Sequence, residues 1–592
     1  MPDTHFDKAA IITGAPPLPA APAPVITRVP QPVTPADFDR LYHNWQSRFT
    51  GGRSPSTVGL AVLDWATHAV NNPFQTASFG RSAVDQWRRL AQAATGGEAA
   101  ILPAPGDRRF TNPAWQQLPY NLLVQAVLLG EEWWSGLVRN TPGVAGQNTR
   151  MVAFTVRQWL DMISPSNVPF LNPEVIETTR RTGGTNFIDG VGNLLRDRLA
   201  AHGGGNTSGF VVGRNVAATP GSVIFRNALM EVIQYAPVTT KVGAQPVLIV
   251  PAWIMKYYIL DLSPGNSLIG WLVGQGHTVF VMSWRNPGAD MRDTSLDDYR
   301  TQGVMTAIEI VSKTCGGQKI HATGYCLGGT LLSIAAAAMA REGDTRLASL
   351  SLFAAQTDFT EAGELQLFIT EDQLSFLGDI VKTQGYLTSA QMGGAFQMLQ
   401  SNDLIWSRAI RDYMLGERDT PNDLMAWDAD GTRLPARMHI EYLRKLFLDN
   451  DLAEGRFMVD GEPLIMSDIK LPVFAVGTER DHIAPWHSVY KLHLQLDDDL
   501  TFVLTSGGHN AGIVSEPGHP RRHFRIRTRL AGTNTPGPEA WERDTTSQDG
   551  SWWVEWNAWL NRYTTAQVPP PPMGIPGTEP LCAAPGTYVL EA

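Results

Sequence analysis

The chain has little cysteine: Cys315, Cys326 and Cys582 are the only three in 592 residues. Thiols so few and so scattered make no disulfide framework, and no pair has metal-ligand spacing, so a reducing compartment and no metal site are expected. Positive charge is also scarce. A net charge of −10 argues against nucleic acid as the main partner. No uncharged apolar run reaches the roughly 18 residues of a membrane span, and the N-terminus lacks a basic stretch followed by an apolar one. A cytoplasmic protein without a transmembrane segment is the expectation. The chain does have apolar material, 43% against 18% charged residues, which suits a globular protein of two or three units. Its eighteen tryptophans admit two readings, core packing or an apolar surface for a greasy partner.

Residues 1–36 carry Ala-Pro repeats such as Pro16-Pro17-Leu18-Pro19 and Pro22-Ala23-Pro24. These stiffen the backbone and offer no packable face, so a disordered tail is expected. Over 37–210 the pattern turns helical, with Trp87, Leu90 and Ala91 spaced for one face and Leu122, Val124 and Leu128 running ahead of Trp133-Trp134. The Gly203-Gly204-Gly205 cluster reads as a joint, because no apolar strand precedes it. Over 211–592 short apolar runs alternate with helices: 247–250, 278–282, 319–322, 348–353, 473–476 and 500–504. Six buried strands with helical connections predict a parallel, doubly wound α/β sheet. The interval from Phe353 to Val473 is much longer than a crossover needs. An insertion over about 358–468 is therefore expected to lie across the strands' C-terminal ends as a lid.

Gly324-Tyr325-Cys326-Leu327-Gly328 joins a predicted strand to an Ala/Leu-rich helix, which is the spacing of a nucleophile elbow with sulfur in place of oxygen. Alone, the motif is as readily a buried cysteine in a Gly-rich turn. Two residues further on weigh against that. Asp481 follows the apolar run 473–476 in a loop, and His509 follows 500–504 in Ser506-Gly507-Gly508. Nucleophile, acid and histidine in this order at three strand ends predict an α/β-hydrolase fold and a triad of Cys326, Asp481 and His509. The amide of Leu327, at the new helix's start, is aimed at an oxyanion forming beside the sulfur. Asp358 and Glu479 are rival acids, and His482, His487 and His321 rival histidines. Asp358 is expected to anchor the lid's start, His321 to sit in the core, and His482 to lie near enough to touch substrate. Sulfur also bears on the reaction. A cysteine thioester keeps the energy of a thioester donor for a second transfer, which favours acyl transfer over hydrolysis and fits a departing thiol such as coenzyme A.

Several longer motifs carry a resemblance: Asp107-Arg108-Arg109-Phe110, Leu118-Pro119-Tyr120, Thr219-Pro220-Gly221-Ser222-Val223-Ile224-Phe225-Arg226-Asn227, Lys256-Tyr257-Tyr258-Ile259-Leu260-Asp261-Leu262, Ser283-Trp284-Arg285-Asn286-Pro287 and Gly324-Tyr325-Cys326-Leu327-Gly328-Gly329. With these the chain resembles the polyhydroxyalkanoate synthases of the single-subunit type over nearly all its length after the Pro-rich tail. The resemblance implies an acyltransferase that takes (R)-3-hydroxyacyl-coenzyme A, short-chain and of the 3-hydroxybutyryl kind, into a polyester. Cys326 would be the acyl carrier, His509 the base and Asp481 its orienter, with no cofactor. It also implies a homodimer at a polyester granule, with the helical N-terminal region at the greasy surface. One departure stands out. Family members have Pro-Pro-x-Ile-Asn-Lys where this chain reads Pro251-Ala252-Trp253-Ile254-Met255-Lys256. The loop follows the strand that normally supplies the second oxyanion N–H, from Ile254 or Met255 here, so the change bears on pocket shape rather than on that donor. Arg521 and Arg522, in Arg521-Arg522-His523-Phe524-Arg525, are either a grip for coenzyme A phosphates or a solvated face. A thiol-dependent hydrolase of esters or polyesters on the same fold is the alternative activity.

Overall fold

The computed structural model describes residues 34–592 apart from 51, 97, 105, 204–208 and 400–404. The expected tail up to residue 33, and Gly204 and Gly205 of the expected joint, lie outside the described residues.

Helices fill the region before the sheet: α1 (Pro35–Thr50), α2 (Pro55–Asn71), α3 (Pro73–Ala94), α4 (Tyr120–Arg139), α5 (Gly146–Met162), α6 (Pro173–Thr182) and α7 (Thr185–Gly203). Local chemistry sets their ends. At α6 the Asn172 side chain accepts from the amides of Glu174 and Val175, Pro173 stands in the first turn, and left-handed Gly183 closes the helix. Val124 and Leu128 of α4 pack with Phe110 and Trp115 in a small core. The Trp87 face differs from expectation: α3 buries no residue, and Trp87 is 70% exposed. The helical period is there, but nothing among the described residues buries it.

The large sheet is built from β1 (Gly221–Arg226), β2 (Met230–Tyr235), β3 (Val247–Val250), β4 (Val279–Trp284), β5 (Ile320–Tyr325), β6 (Leu347–Phe353), β7 (Val473–Thr478), β8 (Leu500–Thr505), β9 (His523–Arg529), β10 (Ser547–Asp549) and β11 (Cys582–Ala583). Their order is β10-β9-β8-β7-β6-β5-β3-β4-β2-β1-β11. The six strands expected from apolar runs are β3 to β8, and every neighbouring pair among them is parallel. They are almost wholly buried, as strands covered on both faces must be. The antiparallel flanks were not anticipated. β1 is only half-buried and its pairing with β2 slips between Val223 and Phe225. β9 alternates arginine with apolar residues and pairs antiparallel with β8, so the basic stretch read from the sequence is an outer strand.

The helix α8 (Leu327–Glu342) follows β5 and is buried from Leu327 to Met339. After β6 the chain leaves the sheet at Phe353 and returns at Val473, forming among other elements α9 (Glu371–Gln384) and α10 (Ala436–Tyr442). The N-terminal region holds this insertion near its start and at its middle. His43 Nδ1 lies 2.9 Å from Asp379 Oδ2, the Ser54 amide donates to Gln373 at 2.8 Å, and Asn186 and Asn193 of α7 each donate at 2.7 Å to the carbonyls of Met414 and Asp412. The tryptophans differ in exposure. Trp552, Trp553, Trp556 and Trp559 of α11 (Trp552–Arg562) are core, whereas Trp45, Trp87, Trp134 and Trp159 of the N-terminal helices are exposed. Among the described residues no helix is long and apolar enough to cross a membrane.

Candidate active site

Cys326 stands between β5 and α8 with φ of 53° and ψ of −129°, a conformation that a non-glycine residue adopts only where its surroundings enforce it. Its amide donates to Phe353 O at 2.8 Å, and its carbonyl accepts from Gly329 and Thr330. The flanking glycines are mechanical necessities. A methyl group on Gly324 would run into the backbone of Gly329, and one on Gly328 into the carbonyls of Val250 and Pro251. The end of β3 therefore abuts the first turn of α8. The first amides of a helix, Leu327 leading here, have no partner within it and point out of its N-terminus beside the sulfur.

His509 and Asp481 arrive from the ends of β8 and β7. His509 Nδ1 lies 2.8 Å from Asp481 Oδ2. Asp481 is held in turn: Thr478 Oγ1 donates to Oδ2 at 3.1 Å, and the amides of Ile483 and Ala484 donate to Oδ1 at 2.9 and 2.8 Å. Burial would raise this carboxyl's pKa, but His509 and the two amides outweigh it and hold the group below the ordinary carboxylate range. For His509 burial works downward, and Asp481 together with the Cys326 thiol overcomes it, so the imidazole pKa lies well above its usual value. Tyr325, beside Cys326, donates to Asn510 Oδ1 at 2.7 Å, and its ring centroid is 5.7 Å from that of His509. Cys326, Asp481 and His509 are each less than a tenth exposed.

The rival residues have other work. Asp358 accepts from the amide and hydroxyl of Thr360 and from Asn450 at the insertion's start. Glu479 pairs with His523 and Arg525. His321 is buried in β5 with Nδ1 2.7 Å from Ser349 Oγ, and His487 faces Glu539 at 3.6 Å. His482 is half-buried; burial lowers its pKa, and Gly363 of the insertion packs against its carbonyl. It lines a cleft of about 1260 Å³ that runs out between α4, α5 and the insertion. Arg522 donates to the carbonyls of Ser506 and Val514, so its guanidinium braces the loop that carries His509. Arg521 is exposed with a left-handed φ of 66°.

The insertion is tied to the loop after β3. Met255 forms an antiparallel bridge with Gly431, Thr432 donates to Trp253 O at 3.0 Å, and Trp427 Nε1 donates to Lys256 O at 2.7 Å. Ile254 and Met255 are half-buried beneath it. Tyr442, at the end of α10, packs edge-on against Trp253 at 6.0 Å, and its phenol lies within electrostatic reach of the Cys326 thiol, which adds to the upward push of burial on its pKa. No local signal marked Tyr442 in the sequence, whereas Trp253 lies in the 251–256 loop already read as shaping the pocket. A second support was legible in kind: the Trp stripe of α11 has helical spacing. Trp552 and Trp553 donate to the carbonyls of Gly512 and Ile513 at 3.0 and 2.9 Å, pinning the loop just beyond His509.

Parallel strands carrying a nucleophile elbow, an acid and a histidine at their C-terminal ends define an α/β-hydrolase-fold enzyme, and the family model described as alpha/beta hydrolase fold matches residues 245–516. Among solved structures, the monoacylglycerol lipase of Paleococcus ferrophilus is similar over 55% of this chain and 97% of its own, at 16% identity and a TM-score of 0.31. The models described as poly-beta-hydroxybutyrate polymerase N terminal and poly-beta-hydroxybutyrate polymerase (PhaC) N-terminus match 34–75 and 106–272. The poly(3-hydroxyalkanoate) polymerase of Methylorubrum extorquens is 41% identical over 83% of this chain and 82% of its own. The corresponding polymerase subunit PhaC of Cupriavidus necator is 34% identical over 95% and 96%. The chain belongs to the poly(3-hydroxyalkanoate) polymerase family, and it is an enzyme of the acyltransferase kind.

Proposed function

We propose that the chain polymerises (R)-3-hydroxyacyl-coenzyme A, with 3-hydroxybutyryl-coenzyme A the first substrate to try, through a thioester on Cys326. The observation that carries this reading is the cysteine elbow facing a buried His509–Asp481 pair in a chain of this family. His509 takes the thiol proton, and its imidazolium is stabilised by Asp481. The thiolate adds to the thioester carbonyl. The oxyanion so formed meets the Leu327 amide and a second N–H from the Ile254–Met255 loop. Collapse breaks the carbon–sulfur bond to coenzyme A, whose thiolate leaves with the proton from His509. The 3-hydroxyl of the next substrate then gives its proton to His509 and attacks the Cys326 thioester. An ester forms, the sulfur departs and recovers the proton, and the lengthened chain, still a coenzyme A thioester, acylates Cys326 again.

The exposed apolar residues of the N-terminal helices support a place for this enzyme at a cytoplasmic polyester granule and as a homodimer. On α7, Ile188, Val191, Leu195 and Leu199 are all exposed at the spacing of one helical face. Pure protein given 3-hydroxybutyryl-coenzyme A should release coenzyme A and yield polymer, and Cys326→Ala should do neither. Free 3-hydroxybutyrate in place of polymer would make it a hydrolase.

A further inference from the structure

An apolar cavity of about 90 Å³ lies between the insertion and the loop that joins α1 to α2. A water-sized group needs about 10–15 Å³ on this measure, so the space takes several such groups. Phe368, Leu377 and Met392 supply apolar wall, and Arg53, His439 and Tyr442 stand among them.

Two of these side chains are dressed for a guest. His439 is 3% exposed, and its Nδ1 has no hydrogen-bond partner. Burial drives its pKa down to about 3, so the ring is neutral at working pH, with one N–H to give and one lone pair to fill. Arg53 Nε donates to Thr50 O at 3.1 Å, and the guanidinium rests 6.0 Å from the Phe368 ring. No carboxylate pairs with it among the described residues. Polar groups buried without partners are costly to keep. Tyr442 connects the cavity with the chemistry: its ring lies 5.3 Å from that of His439, and its phenol feels the Cys326 thiol.

A polyhydroxyacyl chain is uncharged, apolar along its carbon backbone and rich in carbonyl acceptors, and it has one hydroxyl donor at its end. Apolar walls with two separated N–H donors complement it. We propose that this cavity holds the acyl chain during elongation, with His439 and Arg53 donating to its ester carbonyls. The inference rests on the polymerase reading above.

The test counts hydroxybutyryl units on Cys326 by mass spectrometry after limiting equivalents of 3-hydroxybutyryl-coenzyme A, with coenzyme A release followed turnover by turnover. Wild type should acquire several units. His439→Phe should take the first unit at the wild-type rate and add later ones at least ten-fold more slowly, so that enzyme with a single unit accumulates. His439→Gln, which still donates and accepts, should recover most of the elongation rate. Leu377→Trp, which fills the cavity from its wall, should stall in the same way and stands in should His439→Phe not fold. Elongation at the wild-type rate in the variants, or first acylation slowed as much as elongation, overturns the inference while the polymerase reading survives. A wild type that never passes beyond hydrolysis removes that reading itself.

Discussion

Oδ2 of Asp481 receives both the imidazole N–H of His509 and the hydroxyl of Thr478, and Oδ1 receives two amides. The carboxylate is fully occupied, so replacing it by an amide both removes a charge and sets an N–H against existing donors. Asp481→Asn should lower the rate of coenzyme A release by roughly 10⁴, the scale known for a triad acid. Asp358→Asn should stay within a few-fold of wild type, since Asp358 binds Thr360 and Asn450; the reverse ranking would reassign the acid. The pair also makes stability depend on pH. The Asp481 pKa lies below its ordinary 3.8, so its contribution is complete above that value and fades as pH falls through the depressed pKa. The His509 pKa lies above its ordinary 6.5, so its contribution is complete below that value and fades as pH rises through the raised pKa. The melting-temperature difference between wild type and His509→Gln should therefore be widest between these two ordinary values and shrink on the alkaline side. A flat difference would mean that the two groups are not coupled. At this scale the sequence marked Cys326, Asp481 and His509, because each follows an apolar run inside a short turn. Tyr442 was hidden, because only the folded insertion brings it within reach of the sulfur.

Between β5 and α8 the elbow depends on hydrogen atoms in place of side chains. Gly328→Ala would set a methyl group against the carbonyls of Val250 and Pro251 and push β3 away from the helix. Overpacking of a tight core costs about 1–3 kcal/mol, and a backbone collision belongs at the upper end. The denaturant midpoint should fall accordingly and coenzyme A release should be lost; an Ala variant of wild-type stability and activity would show that the turn is looser than its geometry. The elements legible in the sequence were the buried ones. Strands β3 to β8 are continuous apolar runs because helices cover both faces, and the long gap before β7 exposed the insertion. The flanking strands were missed for the opposite reason. The arginines that alternate along β9 obscure its pairing with β8, and β1 slips at Val223.

Across the whole molecule, the helices of the N-terminal region grip the insertion through His43, Ser54, Asn186 and Asn193 while leaving tryptophan outward. The tryptophans of α11 are core, while Trp45, Trp87, Trp134 and Trp159 are exposed. Trp87 and Trp159 are 70% and 62% exposed, and replacing both with Ser should weaken sedimentation with polyester granules several-fold while leaving the initial rate of coenzyme A release unchanged; equal sedimentation would point to another surface. The proposed reaction joins these regions at one sulfur atom. The most direct measurement is therefore the identity of the acylated residue: brief reaction with 3-hydroxybutyryl-coenzyme A, acid quench, proteolysis and peptide mass analysis. 3-Hydroxybutyryl mass should appear on the peptide containing Cys326 and be absent in Cys326→Ala. Acylation at any other residue, or turnover with Cys326 unmodified and replaceable, would rule out Cys326 as the acyl carrier.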